Sequence, residues 1–206
     1  MFISTISESK RSTFQQCKLK YRYKYVDYIP EQDKTNTGAL HFGSYIHKIF
    51  EDGVKASTFD ELNEIAGSLK ENYKFQDSYL PKIAVCIKNF LRFNASLEET
   101  VATELVYEVQ LGKDIKQNGI IDRVIKGKNG GYLIIDYKTS KREKSKVDLY
   151  QDMQMRGYAY AIHKLYNVPY ADIVAAHYYP ITDTFVHVSY GAPQINAYLN
   201  TVREEV

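Results

Sequence analysis

Two apolar runs, GIIDRVI (residues 119–125) and YLIIDY (132–137), flank the turn signal Lys128-Asn129-Gly130 and predict a β-hairpin. The hairpin constrains the chain more than any other feature, because each of its strands carries a carboxylate. Side chains alternate along a strand, so Ile134, Asp136 and Lys138 share one face while Leu133, Ile135 and Tyr137 share the other. Charges at the margin of a core are costly unless paired or bound to a metal. The loop decides whether the two acids meet. A strict two-residue Asn-Gly turn puts Asp122 and Asp136 on opposite faces. An odd loop, Lys128 to Gly130 with Gly130 at positive φ, sets them directly opposite each other, and this is the expected geometry. Directly paired Cβ atoms lie roughly 4.5 to 5.5 Å apart, close enough for two carboxylates to grip one cation.

Carboxylates that close repel unless a proton or a cation stands between them. Hard oxygen ligands with open positions favour Mg2+ or Mn2+. Lys138 would then lie beside the metal, placed to orient or help deprotonate a water or to neutralise a phosphate. The plainer reading is an ion pair between Asp136 and Lys138. Asp114 and Lys116 repeat the same spacing with no apolar strand before them, so the three-residue pattern alone says little.

The rest of the chain supplies a scaffold. Its 206 residues, 44% hydrophobic and 25% charged, suffice for a proper core. No apolar run approaches the ~18 residues needed to span a bilayer, and MFISTISESKRS lacks a secretion signal. A soluble intracellular protein with no membrane partner is expected, in the cytoplasm. Cys17 and Cys86 are isolated and read as ordinary buried thiols. Helices are predicted from the Ser7 cap to about Lys24, from the Thr37 cap over Gly38 to about Lys55, and over 59–74 and 79–98. ELVYEVQL (104–111) alternates as a strand. After the hairpin come a helix over 146–166, strands near 171–179 and 184–190, and a last helix from about Pro193. The fold class is α+β, with a three-stranded antiparallel meander, a crossover helix and N-terminal helices.

The net charge is only +2, yet Lys10, Arg11, Lys18, Lys20, Arg22 and Lys24 run together without an acid, interleaved with Phe14, Tyr21, Tyr23 and Tyr25. Lys138, Lys141, Arg142, Lys144 and Lys146 form a second cluster. Such patches suit a polyanionic backbone and stacked bases; a solvated helix face over packed tyrosines is the alternative. Lys10, Arg11, Lys18, Lys20, Tyr21, Arg22, Lys141 and Arg142 are the candidate nucleic-acid contacts.

Five features in order resemble the PD-(D/E)XK nuclease superfamily and, within it, the RecB-like branch of DNA exonucleases. They are the basic, Tyr-rich TFQQCKLKYRYKYV; Gly43 and His47 in GSYIHKIFE; Asp122 in GIID; Asp136 and Lys138 in DYK; and Gln154 and Tyr158 in QMRGYAYA. The match runs from about Ser4 to Tyr160. The resemblance implies an α/β/α restriction-endonuclease-like core with a central mixed sheet. Residues 1–206 would form one nuclease domain, with 1–100 mainly helical and 101–206 holding the catalytic sheet and helices. It names His47, Asp122, Asp136 and the backbone carbonyl of Tyr137 as metal ligands, and Asp122, Asp136, Lys138, Gln154 and Tyr158 as the catalytic set. Gln154 and Tyr158, four apart on one helix face, would hold the DNA backbone or order the site. Gly43, one turn before His47, would leave that face bare for a metal or phosphate. Glu104 is a candidate for a second metal or a water, with Glu108 as its rival.

What the resemblance implies is Mg2+- or Mn2+-dependent hydrolysis of a DNA phosphodiester, most simply by an exonuclease acting on duplex ends or single strands in recombination, repair or replication. A structure- or sequence-specific endonuclease and a non-catalytic DNA-end-binding module are the alternatives. No cysteine follows Cys86, so the iron-sulfur cluster of some RecB-like nucleases is expected to be absent. No G-x-x-x-x-G-K-[ST] phosphate loop occurs, so a helicase or recombination motor would be a separate partner. A small stand-alone nuclease of a bacterial or phage-infected cell is expected, with allowance for a short tail beyond Val206.

Overall fold

The computed structural model describes residues 4–30 and 38–205. The chain runs β1 (Ser4–Ile6), α1 (Glu8–Gln16), α2 (Lys18–Tyr25), α3 (Gly38–Asp52), α4 (Phe59–Leu69), α5 (Leu80–Ala95), β2 (Glu99–Gly112), β3 (Ile115–Lys126), β4 (Tyr132–Tyr137), α6 (Lys146–Tyr150), α7 (Met153–Tyr166), β5 (Ile173–Tyr179), β6 (Thr184–Val188) and α8 (Ala192–Glu204). Strands β2, β3 and β4 form the antiparallel meander; β4 and β5 are parallel, and β6 closes the edge antiparallel to β5.

The alternation within β4 builds both cores. Tyr132 and Ile134 pack with α7 and α8, whereas Leu133, Ile135 and Tyr137 pack with α3, α4 and α5. Helices on both faces of a mixed sheet make the layers α/β/α, the core that the family resemblance implies.

The odd loop is present. Lys126 pairs with Tyr132, Gly127 N–H donates to Gly131 O (2.8 Å), and Gly130 sits at φ +85°. Only glycine adopts that conformation without steric cost. The register from Arg123↔Ile135 carries Asp122 to the position opposite Asp136, but the ladder ends one residue before it.

Strand β2 pairs along nearly the whole of β3. Both β1, at Ile115–Gln117, and β4, at Arg123–Lys126, therefore share the other edge of β3. Among the described residues, 118–122, which lie between them, have no strand partner on that edge. This fork in the sheet is where Asp122 lies.

Several boundaries differ from the sequence expectation. The helix expected through Lys24 breaks at Cys17, whose extended backbone caps α2 with Sγ accepting from Lys20 N–H. The helix expected over 146–166 breaks at Gln151, and the Asp152 side chain caps α7. Strand β1 was not expected; three residues are too few for a periodicity. Cys17 is exposed rather than buried, while Cys86 is buried. The expected Thr37 cap lies outside the described residues. No described helix is long and apolar enough to cross a membrane.

Candidate metal centre and active site

Helix α3 buries Phe42, Tyr45, Ile46, Ile49 and Phe50 against the sheet, which turns His47 toward the fork. His47 Nδ1 lies 3.4 Å from Asp122 Oδ2. Strand β2 adds Glu104, and one ligand atom from each of His47, Glu104 and Asp122 lies within 4.8 Å of the others. Glu104 is held at φ +47° inside a strand, a conformation that costs a β-carbon residue of order 1–3 kcal/mol and concentrates at functional sites. Its rival Glu108 is instead ion-paired to Lys116 (2.5 Å), so the lysine of the Asp114/Lys116 repeat is engaged in a surface ion pair.

Asp122 is tied across the fork to β4, accepting a hydrogen bond from the Tyr137 backbone N–H at 2.7 Å. The Tyr137 ring points the other way, edge-on to Phe50 and to His47. Arg123 faces away from Asp122; it donates to Thr100 Oγ1 and Asn94 Oδ1, each at 2.7 Å. Gly43 lines the cleft beside His47; a β-carbon there would stand 3.2 Å from Thr139 Oγ1, a tight contact with the side chain just past β4.

Asp136 stands outside the His47–Glu104–Asp122 group. It is 3% exposed, and its Oδ2 has Lys138 Nζ at 2.6 Å as an ion pair without hydrogen-bond alignment. From Lys138 a relay runs into the scaffold. Lys138 Nζ donates to Gln154 Oε1 (3.4 Å), Gln154 Nε2 donates to Tyr158 Oη (2.9 Å), and the buried Tyr158 hydroxyl donates to Ile120 O (2.7 Å) inside the fork. Gln154 and Tyr158 thus join α7 to the unpaired stretch of β3.

The electrostatics follow from this crowding. Burial pushes the Asp136 carboxyl up to about 6, with Lys138 opposing and Asp122 reinforcing the shift. Burial and the neighbouring Asp122 also raise Glu104. Burial opposes the charge on His47 and on Lys138, but Asp122 and Asp136 outweigh it, so both pKa values rise. An excess of carboxylate in a partly dry cleft is the condition a divalent cation relieves. One imidazole nitrogen and several hard oxygens form a donor set that fits Mg2+ or Mn2+.

The cleft over this group has a volume of about 530 Å³ and is lined by Gly43, His47, Lys48, Glu104, Ile120, Asp122 and Thr139 among others. A second groove, about 840 Å³, has Gln154, Arg142 and Lys144 on one wall and Ser9, Arg11 and Ser12 of α1 on another. Lys18, Lys20, Arg22, Lys141 and Arg142 are exposed. Arg11 is not available as a nucleic-acid contact: it is 8% exposed and held by Glu8 (3.0 Å) and Glu205 (2.9 Å), tying α1 to the chain's far end. Tyr21 is half-buried, with its ring packed on Phe14 and Tyr25. Lys10 reaches toward Thr5 O at 3.4 Å.

One residue beside the site carries no sequence signal. His177 of β5 lies in register with Asp136, is fully buried, and has Nε2 4.0 Å from Asp136 Oδ2. Burial, with the Lys138 ammonium, holds its pKa down to about 4. In AAHYYP it reads as one more core residue.

A fork-edged mixed sheet with helices on both faces, an acid on each hairpin strand and a lysine two residues past the second define a nuclease core of the PD-(D/E)XK kind. The family model described as the PD-(D/E)XK nuclease superfamily matches residues 5–206, and the chain belongs to that superfamily. It is similar to a subunit of the ATP-dependent helicase/deoxyribonuclease of Streptococcus agalactiae, 30% identical over 155 residues covering 67% of this chain and 14% of the relative. The corresponding subunits from Streptococcus equi subsp. zooepidemicus and Streptococcus uberis are 27% and 24% identical, over 67% and 66% of this chain and 14% of each relative. The chain thus matches about one seventh of the length of these curated relatives. A solved structure, that of SSO0001, overlaps 93% of this chain and 86% of that chain at 16% identity with a TM-score of 0.37.

Proposed function

We propose that the chain is a divalent-metal-dependent deoxyribonuclease that hydrolyses phosphodiester bonds at DNA ends or in single strands. The observation that carries the reading is the convergence of His47, Glu104 and Asp122 in one open cleft, with the Asp136–Lys138 pair on β4, the strand to which Asp122 is hydrogen-bonded. His47, Glu104 and Asp122 would hold the cation, with Asp136 and the Tyr137 carbonyl as further ligands. When bound, Mg2+ or Mn2+ supplies Lewis-acid stabilisation of the charge on the scissile phosphate.

The chain's own residues do the rest. Lys138, kept as an ammonium by Asp136, orients the attacking water and neutralises phosphate charge rather than taking the proton itself. Gln154 steadies Lys138, and Tyr158 fixes Gln154 to the β3 backbone, so both order the site. The exposed Lys18, Lys20, Arg22, Lys141 and Arg142 track the DNA backbone. Its deoxyribonuclease relatives support the substrate, and their helicase activity supports a helicase or recombination protein as partner, in DNA recombination, repair or replication.

The test is degradation of DNA with and without Mn2+, using end-labelled linear single and double strands beside covalently closed circles. Metal-dependent loss of linear DNA with circles intact is the expected result. Cutting of circles at fixed places makes the chain an endonuclease, and binding without turnover makes it an end-binding module.

A further inference from the structure

We propose that His177 is a positioning residue for Asp136, holding the carboxylate from within the core in the orientation a divalent cation requires. The proposal rests on the reading of Asp136 as a metal ligand. Parallel pairing of β4 and β5 puts Asp136 and His177 side by side on one face of the sheet. His177 is 0% exposed, and its Nε2 has no hydrogen-bond partner among the described residues. A buried polar nitrogen left without a partner requires a reason.

The other side of the ring supplies it. Nδ1 lies 3.4 Å from the Tyr179 hydroxyl, and that oxygen accepts the Lys144 backbone N–H at 2.8 Å. A hydroxyl that has accepted one bond retains its own proton to donate. When that hydroxyl donates to Nδ1, the neutral ring carries its proton on Nε2, the nitrogen facing Asp136 Oδ2 at 4.0 Å. Lys138 holds the same oxygen at 2.6 Å. With a cation bound in the cleft, the Nε2–H would hold the inner oxygen of the carboxylate from behind. Donors behind metal-bound groups orient them, and their loss typically lowers metal affinity 10–100-fold.

The experiment is direct Mn2+ binding to the full chain, by calorimetry or by the spin resonance of free Mn2+, together with thermal unfolding of the metal-free protein. His177→Leu is expected to weaken Mn2+ binding about 10-fold or more while changing the metal-free melting temperature by no more than a few degrees, because it removes an unpartnered buried donor together with the acceptor of the Tyr179 hydroxyl. His177→Gln, which keeps a donor near the Nε2 position, is expected to recover most of the affinity. The proposal is overturned if His177→Leu binds Mn2+ as the wild type does, if it fails to fold, or if His177→Gln is no better. A wild-type chain that binds no Mn2+ overturns the metal reading as well, so the two failures are distinguishable.

Discussion

The Tyr137 backbone N–H donates to the Asp122 carboxylate across 2.7 Å, where the next rung of the β3–β4 ladder would otherwise form. A side chain has replaced a strand contact. The hairpin register brings Asp122 opposite Asp136, and this bond then keeps Asp122 anchored to β4 while the strands part to open the cleft.

In the proposed function this anchor is also a metal ligand, and substitution separates the two roles. Asp122→Asn retains an acceptor for the Tyr137 amide, so it is expected to melt within a few degrees of wild type while losing Mn2+ binding and cleavage. Asp122→Ala leaves the buried amide unpaired, which costs about 1–3 kcal/mol, and is expected to lose stability as well as activity. Thermal unfolding and calorimetry with Mn2+ read the two effects independently.

Glu104 at φ +47° sets stability against function. Glu104→Gly relieves a left-handed conformation costing roughly 1–2 kcal/mol and adds unfolded-chain entropy worth about 0.5–1 kcal/mol. The metal-free variant is expected to be as stable as wild type or slightly more so, with Mn2+ affinity reduced at least about 10-fold. A loss of stability above about 1 kcal/mol in urea unfolding contradicts the strain.

The Asp136 carboxyl, raised to about 6 from 3.8, makes a signed prediction for pH. Between those values the folded chain holds a proton that the unfolded chain has lost. The stability this proton confers is complete below about pH 4 and is lost as pH rises through about 6. His47, also raised, acts in the same direction at higher pH. Metal-free melting temperatures are therefore expected to fall from about pH 4 to about pH 7, less steeply in Asp136→Asn. Added Mn2+ displaces the proton and is expected to restore stability most at the upper end.

Much of this site was legible in the residues themselves. Lys128-Asn129-Gly130 allowed an odd loop, and the alternation of LIIDYK fixed which face Asp136 and Lys138 share. His47 was not legible alone, since a histidine among Tyr45, Ile46, Ile49 and Phe50 reads as packing; only the order of motifs singled it out. The breaks at Cys17 and Gln151 escaped notice because neither is a proline or glycine. The twist at Glu104 has no local signal either. It arises where β2 follows β3 past the fork. Arg11 looked like part of a basic stripe: of its two partners only Glu8 is local, and Glu205, which completes the pairing, is 194 residues away.

That last pairing separates structure from substrate binding. Arg11→Ala leaves Glu8 and Glu205 facing each other and is expected to cost about 3 kcal/mol with little change in DNA affinity. Lys20→Ala is expected to leave stability alone, weaken DNA binding and reduce its salt slope by about 1. Equal effects of both on DNA affinity in salt titrations would contradict the assignment.

The central claim is that Asp136 and Lys138 carry metal-dependent hydrolysis. End-labelled linear DNA incubated with the wild type, Asp136→Ala and Lys138→Ala, each with and without Mn2+, tests it most directly. Degradation by the wild type only with metal, and none by either variant, is the predicted result; wild-type rates in both variants would contradict it.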